Sequence, residues 1–159
     1  MALPRWPSLA AAAAICAAAS GPGWVLELEN TGTGRSFHFA LAEGETFSVV
    51  WQHSMYDQPV AEDYAVGADG RILLRAVSSP GAAAREYLAI TGPGERHAVE
   101  RAMPEVVFRV AMGKEQRLRL GGAVHSFLEF GGHGDRLVMR VRRAAAARPL
   151  AGTSVPKAP

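Results

Sequence analysis

The fold is decided by residues 24–41, which read WVLELENTGTGRSFHFAL. Apolar and polar residues alternate over Trp24–Glu29 and again over Arg35–Leu41, and Asn30–Gly34 is a cluster of turn-forming residues between them. Alternation with a period of two is typical of a strand with one face buried. The stretch therefore predicts two strands joined by a tight turn.

The same alternation recurs along the chain. It predicts further strands at Thr46–His53, Val60–Val66, Arg71–Val77, Val106–Ala111, Gln116–Leu120, Val124–Phe130 and Arg136–Arg142. Between them, Tyr87–Ile90 is predicted as a short strand and Glu95–Met103 as one or two helical turns ended by Pro104. No predicted helix is long enough to connect parallel strands. The pattern predicts one all-β domain of about nine or ten strands, an antiparallel sandwich or a barrel.

Composition and charge fit one domain that does not bind nucleic acid. The chain has 159 residues, of which 48% are hydrophobic and 20% charged. All 15 Asp and Glu lie within residues 20–139, together with 11 Lys and Arg, so this region is mildly acidic. Nucleic-acid-binding domains need a basic surface. Residues 144–159 are rich in Ala and Pro and carry no acidic residue, which predicts a disordered basic tail.

The N-terminal residues have the pattern of an export signal. Arg5 precedes an apolar run over Leu9–Ala19, and small residues at Ala17 and Ala19 suit cleavage after Ala19. This predicts a signal peptide at 1–19, a domain at 20–143 and a periplasmic location. The alternative is an uncleaved signal that anchors the chain in the inner membrane. The apolar run is too short to span a bilayer comfortably, so no stable membrane span is expected after cleavage.

The densest polar patch is HSMYDQPVAEDY, residues 53–64. If the two strands around Pro59 pair in phase, His53 and Glu62 lie on the same face, near Tyr64. Such a pair can be a hydrogen-bonded structural lock, a ligand or partner contact, or a general base with its carboxylate. The residues alone leave all three open, and the lock is the interpretation we favour. The sequence has no nucleophile elbow, zinc-ligand spacing or phosphate-binding loop, so it predicts no catalytic residue, metal or cofactor.

The same patch carries a family resemblance. His53-Ser54, Pro59-Val60 and Glu62, then Tyr64 and an Asp-Gly turn, resemble the motif of a bacterial family catalogued as domain of unknown function 1850. The resemblance covers about residues 24–142. Members are small exported β proteins whose genes tend to lie beside tripartite ATP-independent periplasmic (TRAP) transporters with a TAXI-type solute receptor.

The resemblance implies an exported, non-catalytic accessory or binding module for TRAP/TAXI-type solute uptake, with a transporter component or its solute as partner. It implies ligand or partner contacts at His53, Ser54, Pro59, Glu62 and Tyr64. The alternative is a small exported hydrolase using His53 and Glu62. One departure is the loop Pro80-Gly-Ala-Ala-Ala84, where members carry a Gly-Ala-Gly-like sequence. Without the last glycine, a differently shaped loop is expected.

Overall fold

The computed structural model describes residues 23–92, 94–112 and 114–144. They form ten strands, a short α-helix and one 3-10 helix. The bounds are β1 Trp24–Asn30, β2 Arg35–Leu41, β3 Thr46–Gln52, β4 Pro59–Val66, β5 Ile72–Ser78, α1 Ala82–Tyr87, β6 Arg96–Met103, β7 Val106–Arg109, β8 Gln116–Leu120, β9 Ala123–Ser126, the 3-10 helix Phe127–Glu129, and β10 Arg136–Arg143. The all-β prediction is confirmed. The predicted signal peptide at 1–19 and nearly all of the predicted tail lie outside the described residues.

The strands form two antiparallel sheets that pack together as a sandwich. The four-stranded sheet has the order β2-β1-β10-β7, and the six-stranded sheet has the order β6-β5-β4-β3-β8-β9. In the smaller sheet, β1 pairs with β10 over its whole length, from Trp24 opposite Arg143 to Asn30 opposite Leu137. The first and last strands of the domain are therefore direct neighbours in the centre of the four-stranded sheet.

The core lies between the sheets and is built by alternate residues of each strand. Leu26 and Leu28 of β1 and Met139 of β10 face Phe47, Val49 and Leu118 of the other sheet's core face, and all are buried. Burying each such side chain contributes roughly 1.5–3 kcal/mol. The period-two patterns thus form strands because both sheets bury one face.

Two local predictions are wrong. Tyr87–Ile90 is not a strand, because the alanine-rich run before it forms α1, and Ala has the highest helix propensity. Glu95–Met103 is not helical, because Arg96–Met103 forms β6 and pairs with β5, with Val77 opposite His97 and Ile72 opposite Met103. Sheet pairing here overrides the local propensity.

The other strand bounds agree to within one residue except at two places. The strand predicted at Val106–Ala111 ends at Arg109, and the one predicted at Val124–Phe130 ends at Ser126. Ser126 and Glu129 then form a capping box on the 3-10 helix, which turns the chain away from the sheet. In the loop at residues 80–84, Ala84 is helical and fully buried, so a glycine's freedom is not required there.

The two ends of the sandwich differ in character. At one end, Gly70 in the β4–β5 turn has φ +82° and packs on the Trp24 ring, where an added Cβ would lie 2.9 Å from Cζ3. At the same end, the Ala144 N–H donates to the Gly23 carbonyl at 2.7 Å. The opposite end carries residues 53–58, α1, the β7–β8 loop and the 3-10 helix, and we call it the α1 end.

Candidate functional site

His53 follows β3 at the α1 end and is only 4% exposed. Its backbone N–H donates to the Gln58 carbonyl at 2.8 Å, and its carbonyl accepts from the Asp57 N–H at 2.9 Å. Its ring Nδ1 accepts from the Met55 N–H at 3.3 Å. Because Nδ1 accepts, the proton of the neutral ring sits on Nε2. The imidazole therefore holds the turn that contains it.

Three aromatic rings surround this imidazole. The ring centroids of Trp51, Tyr56 and Tyr87 lie 5.8, 5.0 and 4.7 Å from that of His53, and Tyr87 meets it edge to face. Tyr87 is 62% exposed and Met55 is 68% exposed. His53 is thus the buried floor of an exposed patch formed by Met55, Tyr56 and Tyr87, which we call the aromatic patch.

Glu62 belongs to a different environment, inside the sandwich. It lies in β4 opposite Val49 of β3 and Val77 of β5, and its carboxylate accepts from the Tyr64 hydroxyl at 2.8 Å. Burial raises the pKa of Glu62 above its ordinary value, and hydrogen bonds from Tyr64 and Trp51 oppose that rise. Burial and the neighbouring carboxylate also raise the pKa of Tyr64. The Glu62 carboxylate therefore has its hydrogen-bond donors, Tyr64 and Trp51, within the sandwich.

His53 and Glu62 do not form the direct contact expected from the sequence. No hydrogen bond or ion pair joins them in the described part of the chain. His53 bonds to Met55, and Glu62 bonds to Tyr64. The hydrogen bonds of His53 that the structure shows lie within residues 53–58.

The five residues singled out in the sequence separate into two groups. His53 lies under the aromatic patch, and Ser54 is exposed in the turn that follows. Glu62 and Tyr64 point into the sandwich, where Tyr64 stacks on Phe47 with centroids 5.4 Å apart. Pro59 opens β4 opposite Gln52 and is half-buried between the groups. Trp51 lies between the two groups, because its ring centroid is 5.8 Å from that of His53 and its side chain hydrogen-bonds to Glu62.

Two residues of the aromatic patch, Tyr87 and Tyr56, were not predicted from sequence as site residues. Tyr87 ends α1, which Arg85 fastens to the fold by donating to the carbonyls of Ser79 at 3.1 Å and Pro80 at 3.2 Å. The signal was the alanine run before Tyr87, which predicts a helix better than a strand. The signal for Tyr56 was its position in the polar patch, three residues after His53.

Exposed apolar side chains are concentrated at the α1 end. Of the seven exposed large hydrophobic residues in the described ranges, five lie there: Met55, Tyr56, Tyr87, Met112 and Leu128. Some charged groups at this end are paired, since Lys114 contacts Asp57 and His125 lies 3.2 Å from Glu129, while Glu86 of α1 is exposed. Such a surface can bury apolar area against another molecule.

Comparison of the chain with family models, with curated proteins and with solved structures finds no match. Within residues 23–92, 94–112 and 114–144, no group of three or more His, Cys, Asp or Glu side chains is arranged to hold a metal ion. In the same ranges, no helix has the length and apolar character needed to cross a membrane.

Proposed function

We propose that this protein is an exported, non-catalytic binding module that uses its α1 end to dock on a component of a TRAP/TAXI-type transporter. The observation that carries the docking surface is the concentration of five exposed large apolar residues at this end. The partner class and the periplasmic location rest on the family resemblance and on the signal-peptide pattern of residues 1–19.

The aromatic patch has the chemistry of an interface centre. Tyr and Met are enriched in the cores of protein interfaces, because they bury large areas without burying a charge. Tyr56 and Tyr87 have ring centroids 6.4 Å apart, and each contacts the buried His53. Their positions are therefore fixed before a partner arrives, which lowers the entropy cost of binding.

The contacts of His53 and Glu62 favour binding over hydrolysis. A hydrolase built on these residues requires the imidazole and the carboxylate to act on one substrate. Instead, the Nδ1 atom of His53 is used by the Met55 N–H, and Glu62 faces the core beside Tyr64. We therefore assign His53 to support of the aromatic patch.

The test is photo-crosslinking in the periplasm with benzoylphenylalanine at position 87. We expect a crosslink to a subunit of the TRAP transporter, and loss of co-purification with that subunit in the double variant Tyr56→Ser, Tyr87→Ser. The matched control is Val124→Ser, since Val124 is 54% exposed but lies in edge strand β9. Equal co-purification of the double variant and the wild-type protein would overturn the proposal.

A further inference from the structure

A pocket of about 390 Å³ lies at the α1 end, between the β7–β8 loop, the 3-10 helix and His133. Its volume is within the range of small-molecule sites, roughly 300–1,000 Å³. Val110 and Phe127 supply a buried apolar floor, at 2% and 1% exposure, and the half-exposed Leu128 forms one wall. The aromatic patch contributes no side chain to this lining.

Three polar side chains of the pocket lining can donate hydrogen bonds to a ligand. Gln116 accepts from the Ala111 N–H through Oε1 at 2.7 Å, which leaves its amide N–H groups available. Ser126 accepts from the Leu128 N–H at 3.3 Å through Oγ, which leaves its O–H available. Lys114 adds an ammonium group whose side chain is 32% exposed.

Two carboxylates lie beside these donors, and one of them, Glu115, is part of the lining. Glu115 contacts Arg117, so its carboxylate already has a cation. Asp57 contacts Lys114 from the neighbouring loop and is the one carboxylate that competes with a ligand for the ammonium. The Nδ1 atom of His133 hydrogen-bonds to the Ala111 carbonyl at 2.8 Å. This contact holds the loop whose Ala111 N–H donates to Gln116.

We propose that this pocket binds a small organic carboxylate with an apolar body. Lys114, Gln116 and Ser126 receive the carboxylate, and Val110, Phe127 and Leu128 contact the apolar part. A cation is disfavoured because the one carboxylate of the lining, Glu115, already pairs with Arg117, whereas hydrogen bonds from Lys114, Gln116 and Ser126 to a charged acceptor are the stronger kind. The proposal does not depend on the docking function, since Leu128 is the one side chain that the pocket shares with the exposed apolar residues of the docking surface.

Substitutions at Asp57 and Lys114 should change the carboxylate affinity in opposite directions. Asp57 has φ +52°, a conformation that Asn tolerates better than most residues. The Gln52 side-chain amide donates to Asp57 Oδ1 at 2.9 Å, and the Asn side chain offers an oxygen in the same place. Asp57→Asn therefore keeps the turn while removing the competing charge. We expect Asp57→Asn to tighten carboxylate binding and Lys114→Met to weaken it.

The experiment is titration of the exported protein with 2-naphthoate and with its neutral isostere 2-naphthamide, followed by calorimetry and by backbone amide NMR. We expect 2-naphthoate to bind about tenfold more tightly than the amide, because a hydrogen bond to a charged group is worth roughly 1.5–3 kcal/mol. The amide signals of Ala111, Gln116 and Leu128 should shift. Lys114→Met should bind 2-naphthoate about tenfold more weakly than the wild-type protein, and Asp57→Asn should bind it more tightly.

The matched control is Arg75→Gln, which removes one positive charge from an exposed side chain of β5 and should leave the affinity unchanged. Equal binding of acid and amide, shifts confined to other residues, or no saturable binding at millimolar concentration would each overturn the pocket assignment. The Tyr56→Ser, Tyr87→Ser variant should keep its naphthoate affinity. Failure of this proposal and failure of the docking proposal are thus distinguishable.

Discussion

His53 stabilises its loop through a hydrogen bond and through ring packing, and two substitutions separate these contributions. His53→Ala removes both, so we expect a loss of about 2–3 kcal/mol in the free energy of unfolding. His53→Asn can still accept from the Met55 N–H, so we expect it to recover about 1 kcal/mol. Urea denaturation measures both variants. His38→Ala is the control, since its side chain is 56% exposed. Equal losses in the two variants would show that the Met55 bond contributes nothing.

Glu62 should make the stability fall as the pH rises above its ordinary pKa of 4.5. Its pKa is raised in the folded state, mainly by burial, so the folded protein holds this proton more tightly than the unfolded chain. The contribution is present below pH 4.5 and is lost as the pH rises through the folded-state pKa.

Glu62→Gln tests this linkage. Gln keeps an oxygen for the Tyr64 hydroxyl and carries no charge, so the variant should lack this decline and be more stable than the wild-type protein at pH 7. Denaturation midpoints between pH 4 and pH 8 measure it. Glu43→Gln, at an exposed turn, should leave the slope unchanged. An unaltered slope in Glu62→Gln would contradict the burial argument.

At the scale of elements, α1 has only six residues and holds Tyr87 in the aromatic patch. Ala83 is exposed on this helix, so Ala83→Gly should cost about 0.5–1 kcal/mol of helix stability without removing a contact. The Leu88 N–H donates to the Ala84 carbonyl at 3.0 Å, so its hydrogen exchange reports opening of α1.

We expect faster exchange of the Leu88 amide and weaker crosslinking from position 87 in Ala83→Gly. The control is Ala68→Gly in the exposed β4–β5 turn, which should change neither. Weakened crosslinking without faster Leu88 exchange would show that helix stability is not what positions Tyr87.

The elements also show what could be predicted from sequence. The strands with unbroken alternation, such as Arg35–Leu41 and Gln116–Leu120, were predicted with the observed bounds, because their pattern records directly which face is buried. The sequence around β6 lacks a clean alternation, and its pairing with β5 depends on a distant segment. Tyr-Leu-Ala-Ile at 87–90 has a strand-like composition, although α1 ends there.

The candidate site was only partly predictable for the same reason. The polar patch at residues 53–64 drew attention to His53, and alternation placed Glu62 on the correct face of β4. The sequence could not show that Tyr87 packs on His53 with centroids 4.7 Å apart, because that contact joins segments separated by two strands. Nor could it show that the Tyr64 hydroxyl donates to the Glu62 carboxylate, which was expected to lie beside His53.

For the molecule as a whole, export predicts a definite mature end. Because Ala17 and Ala19 suit signal peptidase, we expect the exported protein to begin at Ser20 or within two residues of it. Mass spectrometry of the periplasmic fraction measures this. A membrane-bound product that retains Met1 would contradict cleavage and support the uncleaved anchor. Ala19→Arg, which blocks the small-residue position, should abolish processing while Ala13→Leu should preserve it.

The pairing of β1 with β10 has a consequence for the order in which the chain assembles. The six-stranded sheet contains the β3–β4, β4–β5 and β8–β9 hairpins, whose partners are close in sequence. The centre of the other sheet closes only when the segment ending at Arg143 reaches the segment beginning at Trp24. Contacts this remote carry a large loop-closure entropy and slow folding. A chain that threads through an export channel from its N-terminus would therefore pair β1 with β2 early, and would leave the other edge of β1 without its partner until the last strand emerges.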